Sequence, residues 1–269
     1  MKYLLGSELA GFVKERQAKQ VRQLLQQYKI QPKLAIVAAS DNPTIKTYVT
    51  LKKKYGADIG VVVEEHLETA ATIIDTINNL NNDDTVHGII VQLPIDDISK
   101  TEEVLQSVIP GKDVDGLHSN SIFDAATPIA INWLLNGYNV DLKNKKIVIV
   151  GNGRLVGAPL NGMWQNSGLQ PIVIDVETPN KEELITSADI IITAVGRPSL
   201  ITSKLVKQGA IVVDAGVASE KGVLKGDVAE DVFDREDITI TPKKGGVGPL
   251  TVCALFDNVI RSANNAISS

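Results

Sequence analysis

The chain is poor in the residues that build metal centres and disulfide frameworks. Its 269 residues include one cysteine, Cys253, and three histidines, His66, His87 and His118. A single thiol excludes an internal disulfide framework and fits a reducing compartment. In its apolar surroundings Cys253 reads as a small core residue. The histidines show no mutual spacing that suggests a ligand set, and no carboxylate cluster supports one, so no metal is expected. There is no excess of positive charge: 27 Lys and Arg against 32 Asp and Glu give a net charge of −5, which argues against nucleic acid or an anionic membrane as main partner. No apolar run approaches the roughly 20 residues of a membrane span. The N-terminus has one lysine and a short apolar patch before Gly6 and Glu8, unlike a signal peptide, and a cytoplasmic location is the expectation. Repeats, low-complexity tracts, long linkers and a G-x-S-x-G nucleophile elbow are all missing.

What is present is a strand and helix alternation that carries one strong turn. Ile147, Val148, Ile149 and Val150 form an apolar, β-branched run suited to a strand buried on both faces. Gly151 and Gly153 follow at once, with Gly157 one helical turn on. In a nucleotide-binding crossover the first glycine permits the tight turn, the second lets the backbone approach a pyrophosphate, and the third allows close helix-on-strand packing. The helix N-terminus then offers free N–H groups to the phosphates. The spacing is G-x-G-x-x-x-G rather than G-x-G-x-x-G, and on its own it also fits any glycine turn of an α/β protein. The next strand, 171–174, ends in Asp175, which is placed to accept hydrogen bonds from the ribose hydroxyls of NAD.

The same alternation runs from the start. A long amphipathic helix is expected over 4–28, a strand over 33–39, and a helix from Asp41-Asn42-Pro43 to Tyr55 with Gly56 as its C-cap. Strands at 59–63 and 86–93 and helices at 69–81 and 101–107 follow. After a Gly- and Asp-rich loop at 109–120, a helix begins near Thr127-Pro128. The second half reads as strands at 147–150, 171–175, 189–194, 210–214 and 238–241, helices at 155–166, 180–187 and 202–207, and a terminal apolar helix at 251–267. The fold class is α/β with parallel sheet, in two domains.

Tyr48 and Lys52 are four residues apart on a helix and share one face. A phenol beside a desolvated amine makes an acid/base pair, although Lys52-Lys53-Lys54 equally suits a cationic last turn facing the helix dipole. Gln92 ends the third strand, where ligands gather in open α/β sheets, and an amide can orient both a lysine and a substrate. Asp113 and Asp115 lie in the crossing loop. A carboxylate there can bind the paired N–H donors of an amino-heterocycle, or simply serve the turn.

These segments together resemble the bifunctional methylenetetrahydrofolate dehydrogenase/cyclohydrolase family. Tyr48-Val49-x-x-Lys52-x-Lys54, Gly88 to Pro94 (GIIVQLP), Ile109 to Gly116 (IPGKDVDG, one residue shorter between Ile and Pro), Thr127-Pro128, Val195 to Pro198 (VGRP), Val213 to Gly216 (VDAG) and Gly245 to Thr251 (GGVGPLT) stand in family order. The resemblance implies an N-terminal folate-binding, catalytic domain over 1–124 joined by the C-terminal helix 250–269, and a Rossmann domain over 125–249, with the active cleft between them. It implies homodimers, and a place in one-carbon metabolism and purine biosynthesis. It implies oxidation of methylene- to methenyl-tetrahydrofolate with NAD or NADP, then hydrolysis to formyl-tetrahydrofolate. Carried over by residue, Lys52 is the catalytic amine, Tyr48 stacks on and positions the folate, Gln92 orients Lys52, and Asp115 grips the pterin. Leu93, Pro94, Gly246, Val247, Gly248 and Pro249 join them at the substrate. Gly151, Asn152, Gly153, Gly157, Asp175, Val176, Val195, Gly196 and Val217 hold the cofactor.

Departures from the family pattern bear on the cofactor. The usual G-R-S phosphate turn is Gly151-Asn152-Gly153, and the usual C-H-S strand end is Ile174-Asp175-Val176. The Arg and Ser suited to a 2′-phosphate are missing, and an Asp repels that group, so NAD is favoured over NADP; Arg154 or Arg197 are the residues that could offset this. Ile45 stands at a frequent Ser, Ala126 at a frequent Cys, and Lys243-Lys244 at a V-P pair. Rival readings are a dehydrogenase lacking the hydrolase step, a shikimate-type dehydrogenase and a non-catalytic nucleotide sensor. The Gln92-Leu93-Pro94 and Asp113-Val114-Asp115 segments speak against the shikimate-type reading, and the intact Tyr48, Lys52, Gln92 and Asp115 set against the sensor.

Overall fold

A computed structural model describes residues 2–40, 42–220 and 223–267. The chain separates into two compact units, residues 1–10 with 127–251 and residues 11–126 with 252–269. The partition falls inside the two longest helices, α1 (Gly6–Gln23) and α8 (Val247–Asn265). Residues 1–10 therefore group with the second half, whereas the sequence places them with the first. The cause is a short strand that the sequence did not announce, β1 (Lys2–Tyr3), which pairs in parallel with β11 (Thr239–Ile240).

The unit built on 11–126 holds a three-stranded parallel sheet. Its strands are β2 (Lys33–Ala38), β3 (Val62–Leu67) and β4 (Gly88–Gln92), in the order β3-β2-β4. The central strand β2 is almost wholly buried and reads as a continuous apolar run. The edge strand β3 carries Glu64, Glu65 and His66 instead, as suits an edge. Helix α2 (Pro43–Ile59) links β2 to β3. The Asp41 cap lies outside the described residues. The helix runs through Gly56, which is not its cap: a Cβ there would fall 2.4 Å from Val63 and 3.0 Å from the Val61 carbonyl. The stop is Gly60, at φ +85°. Helix α3 (Ile73–Asn81) buries Ile73, Ile77 and Leu80 at helical spacing. It starts four residues later than expected, because the hydroxyls of Thr69 and Thr72 bond the backbone of 69–71 in a non-helical turn. Its last carbonyls, those of Leu80 and Asn81, and the Asp83 carbonyl accept from Lys112 Nζ at 2.8–3.1 Å. That cation anchors the loop that follows α4 (Thr101–Ser107).

The other unit holds a six-stranded, all-parallel sheet in the order β1-β11-β8-β7-β5-β6. Its remaining strands are β5 (Ile147–Val150), β6 (Ile172–Ile174), β7 (Ile190–Thr193) and β8 (Ile211–Asp214). Helices α5 (Ala126–Gly137), α6 (Gly157–Asn166) and α7 (Lys181–Thr186) accompany them. Strands β5 and β7 are buried at every position, the pattern of a sheet covered on both faces. The helix expected over 202–207 is only a 3₁₀ turn, Ser203–Leu205. The carbonyls of Ser203 and Val206 are taken by the Arg235 guanidinium, and Ser203 bonds Asp231, so side chains replace the helical ladder. A two-stranded hairpin, β9 (Ala218–Glu220) and β10 (Val223–Lys225), was also not anticipated.

Candidate active site

On α2, Tyr48 and Lys52 are one turn apart, both partly buried. Lys52 Nζ donates to Gln92 Oε1 at 2.6 Å. Gln92 is the last residue of β4, and its amide nitrogen donates to the Leu93 carbonyl at 3.3 Å, which turns the amide oxygen toward the lysine. Leu93 and the exposed Pro94 follow, joined by a cis peptide. Burial pushes the Lys52 amine below its ordinary value, and the Asp115 carboxylate opposes that shift. Burial in turn raises the Asp115 carboxyl; the Lys52 charge lowers it, and Asp113 pushes it up further. Burial also raises the Tyr48 phenol. The sequence-predicted set Lys52, Gln92 and Asp115 is thus one electrostatic cluster.

The two loop carboxylates have different fates. Asp113 is buried and accepts the His118 N–H at 2.7 Å, which closes the loop. Asp115 carries no such loop bond among the described residues, and its charge acts on Lys52. Asn258 on α8 donates to the carbonyls of Val114 and Asp124 at 2.9 Å, so both sides of the Asp115 segment are pinned. Ile45 and Ala126 are buried core residues. Lys243 pairs with Glu230 and lies over the Phe233 ring. Gly246, Val247, Gly248 and Pro249 form the start of α8.

The second unit contains a cleft of about 400 Å³. Gly151, Asn152, Gly153, Asp175, Val176, Val195 and Arg197 line it, as do Lys181, Ile185, Leu200 and Leu205, which sequence reasoning did not single out. Gly151 sits at φ +101° and donates its N–H to the Ile174 carbonyl at 2.8 Å. Gly157 opens α6 so close to the turn that a Cβ would fall 1.8 Å from the Gly151 carbonyl oxygen. Gly153 has nothing within 4 Å of its Cβ position, leaving that side open to a ligand. Gly196 lies between two cleft residues at φ +75°, and Val217 is exposed. This is a cradle shaped for a pyrophosphate, with apolar walls for a planar base.

Asp175 has a local task as well. Its Oδ1 accepts from the N–H of Glu177 and Thr178 at 3.0 Å and from the Thr178 hydroxyl at 2.8 Å. The Thr178 hydroxyl bond and these N–H groups hold its carboxyl below the ordinary value. None of these bonds uses Oδ2. An Asp with Thr three residues on is the sequence signal for this turn.

Among the described residues no group of three His, Cys, Asp or Glu could hold a metal ion. Nor, among the described residues, is any helix long and apolar enough to cross a membrane.

Comparison with known proteins agrees with this geometry. Residues 4–115 match the family model of the tetrahydrofolate dehydrogenase/cyclohydrolase catalytic domain, and residues 125–267 match that of its NAD(P)-binding domain. The chain is 36% identical to the bifunctional protein FolD of Campylobacter jejuni over the full length of both. The crystal structure of the bifunctional FolD dehydrogenase/cyclohydrolase of Campylobacter jejuni superposes with a TM-score of 0.92, at 37% identity over 98% of this chain and 99% of that one. The Trypanosoma brucei methylenetetrahydrofolate dehydrogenase-cyclohydrolase, solved with NADP cofactor and an inhibitor, gives 0.91 at 28% identity over 99% and 98%.

Two outcomes follow from packing and burial. Gly157→Ala should melt several degrees below wild type, since overpacking against backbone costs about 1–3 kcal/mol, while Gly153→Ala melts within about one degree. Equal melting temperatures would refute the close-approach account. Asp214, at the end of β8, is pushed up to about 6, chiefly by burial. An unfolded Asp titrates near 3.9. The folded state therefore holds the extra proton between these values, and the stability Asp214 contributes is full below about pH 4 and lost as pH rises through about 6, a difference of ~3 kcal/mol. Urea unfolding of wild type and Asp214→Asn at pH 4.5 and 7 should show the variant lacking this component of the pH slope; identical slopes would overturn the assignment.

Proposed function

The chain belongs to the tetrahydrofolate dehydrogenase/cyclohydrolase family, and on that premise we infer that it oxidises methylene-tetrahydrofolate to the methenyl form and hydrolyses the methenyl form to formyl-tetrahydrofolate. The observation that carries the reading is the 2.6 Å bond from Lys52 to Gln92 beside Asp115, in a chain that also carries the Gly151 to Gly157 cradle. A dinucleotide held by the Gly151 to Gly157 cradle would supply the nicotinamide as hydride acceptor for the methylene carbon. The chain's own part in that step is positioning: on the 11–126 unit Tyr48 stacks on the folate, Asp115 grips the pterin's N–H donors, and Leu93 and Pro94 add substrate contacts. Hydrolysis requires proton movement around a water that attacks the amidinium carbon. An amine lowered by burial can take that proton and return it, and Gln92 fixes where its lone pair points. Asp115 belongs to the same cluster: burial raises its carboxyl, the Lys52 charge lowers it, and its own charge raises Lys52 in return.

The dinucleotide is read as NAD. Asp175 lines the cleft, is held ionised by its turn, and keeps Oδ2 for a ribose hydroxyl. A 2′-phosphate of charge near −2 is repelled there. Arg197 lends its backbone N–H to Asp227 and lines the cleft, so it is the nearby cation that could soften the preference. We assign a homodimer and a cytoplasmic setting on the family resemblance, with the folate-binding domain on the 11–126 unit and the dinucleotide on the other; the solution mass of the purified protein tests the dimer.

Methenyl formation from methylene-tetrahydrofolate, followed by absorbance with NAD and NADP in parallel, should favour NAD at least ~tenfold. Asp175→Ser should narrow that ratio. A preference for NADP would keep the family and refute the role given to Asp175. Lys52→Met should lower hydrolysis of methenyl-tetrahydrofolate by about 10²-fold, and an unchanged rate would remove Lys52 from the mechanism.

A further inference from the structure

A buried carboxylate, Asp227, and a half-buried one, Asp214, lie outside the residues assigned so far. Asp227 is fully buried. Its Oδ2 accepts from the Thr193 hydroxyl at 2.7 Å and the Val195 N–H at 2.8 Å, and its Oδ1 accepts from the Arg197 N–H at 2.7 Å. Thr193 ends β7, and Val195 and Arg197 line the cleft. Three donors from one turn thus converge on one carboxylate. Asp214 performs the same service one layer back. Its Oδ1 accepts the N–H groups of Gly216 and Asp227 at 3.0 and 3.1 Å, and its Oδ2 accepts that of Val228 at 3.0 Å. The chain makes room for both acids. A Cβ at Gly216 would fall 2.2 Å from the Asp227 carboxyl carbon, and one at Gly226 would fall 2.1 Å from Asp214 Oδ2.

A fully buried carboxylate backed by a half-buried one is an expensive way to fix a loop, since apolar side chains fill such volume without the desolvation penalty. What the acids do that apolar groups cannot is hold backbone N–H groups at set positions. The positions matter because of strand order. Asp175 follows β6, the glycine turn follows β5, and the Thr193 to Arg197 turn follows β7 on the opposite side of β5. A dinucleotide with its adenosine ribose at Asp175 and its pyrophosphate at Gly151 must lay its other half over the β7 turn.

We propose that Asp227, itself held by Asp214, is a positioning residue for the dinucleotide, clamping the Val195 to Arg197 turn that receives the nicotinamide half. The inference rests on the reading of this cleft as a nicotinamide dinucleotide site. Because hydrolysis of methenyl-tetrahydrofolate requires no hydride acceptor, a clamp acting on the dinucleotide leaves that rate alone, whereas a merely structural role lowers both.

The test uses full-length protein and the variants Asp227→Asn and Thr193→Val. Asn places an amide NH₂ against backbone donors, and Val removes one of the three bonds at nearly constant volume. The Kd for NAD by calorimetry, the KM for NAD in the dehydrogenase assay and the rate of methenyl hydrolysis are measured for each. The expected result is a Kd and KM raised ~tenfold in Asp227→Asn and ~threefold in Thr193→Val, with hydrolysis within about twofold of wild type. An unchanged Kd in folded Asp227→Asn, or a parallel fall of both activities, overturns the proposal. Should Asp227→Asn fail to fold, Thr193→Val decides alone by the same pattern. A wild type that binds NAD but turns over no folate defeats the functional reading, and the clamp is then judged on the Kd values.

Discussion

A lysine amine held mostly out of water is the constraint around which the 11–126 unit is arranged. An unpaired buried ammonium is costly, so the group must either lose its proton or find partners. Here both tendencies are in play: burial lowers Lys52, while Asp115 holds it up. Gln92 fits this balance because a neutral amide accepts a hydrogen bond without adding a charge that would pin the proton. The surrounding fold delivers the three groups from three elements: helix α2, the end of β4, and the loop that Lys112 and Asn258 fasten. Parallel strands make this possible, since their carboxyl ends all open on one edge.

The other unit solves the opposite problem. An anionic ligand has to be met with few cations, because Gly151-Asn152-Gly153 supplies none. Backbone N–H groups and a helix N-terminus do the work, which demands that helix and turn come unusually close. Gly157 against the Gly151 carbonyl is where that closeness is enforced. The acids at 214 and 227 act on the β7 turn from the other side. They take the backbone donors of that turn and of the segment behind it, which fixes where the turn lies beside the cleft.

Much of this was legible in the sequence because apolar runs with strong flanking punctuation leave little choice. Strand β5 and helix α4 fall where the pattern puts them, and the glycine turn and the Tyr48, Lys52, Gln92 and Asp115 set are carried by short local motifs. What was not legible depends on distant partners. Two-residue β1 exists only because β11 offers an edge, and no periodicity fits in two residues. The 202–207 segment loses its helix to Arg235, some thirty positions away. Gly56 looked like a cap because local rules see its missing side chain and not Val63 packed against it. Asp227 escaped notice for the same reason, although the Gly216 and Gly226 flanking the two acids were a hint.

The acids also show why residue type alone cannot assign a role. Asp113 and Asp115 are two residues apart in one loop, yet the first is taken by the His118 N–H and the second acts on Lys52. Asp175 divides itself, with Oδ1 given to its own turn and Oδ2 outside it. A carboxylate that can reach a nearby backbone donor is drawn into local structure first. What remains for chemistry is the acid, or the single oxygen, for which the turn provides no donor. That rule sets Asp113 apart from the two carboxylates proposed to meet ligands, Asp115 and Asp175, and it depends on backbone geometry that the fold must supply.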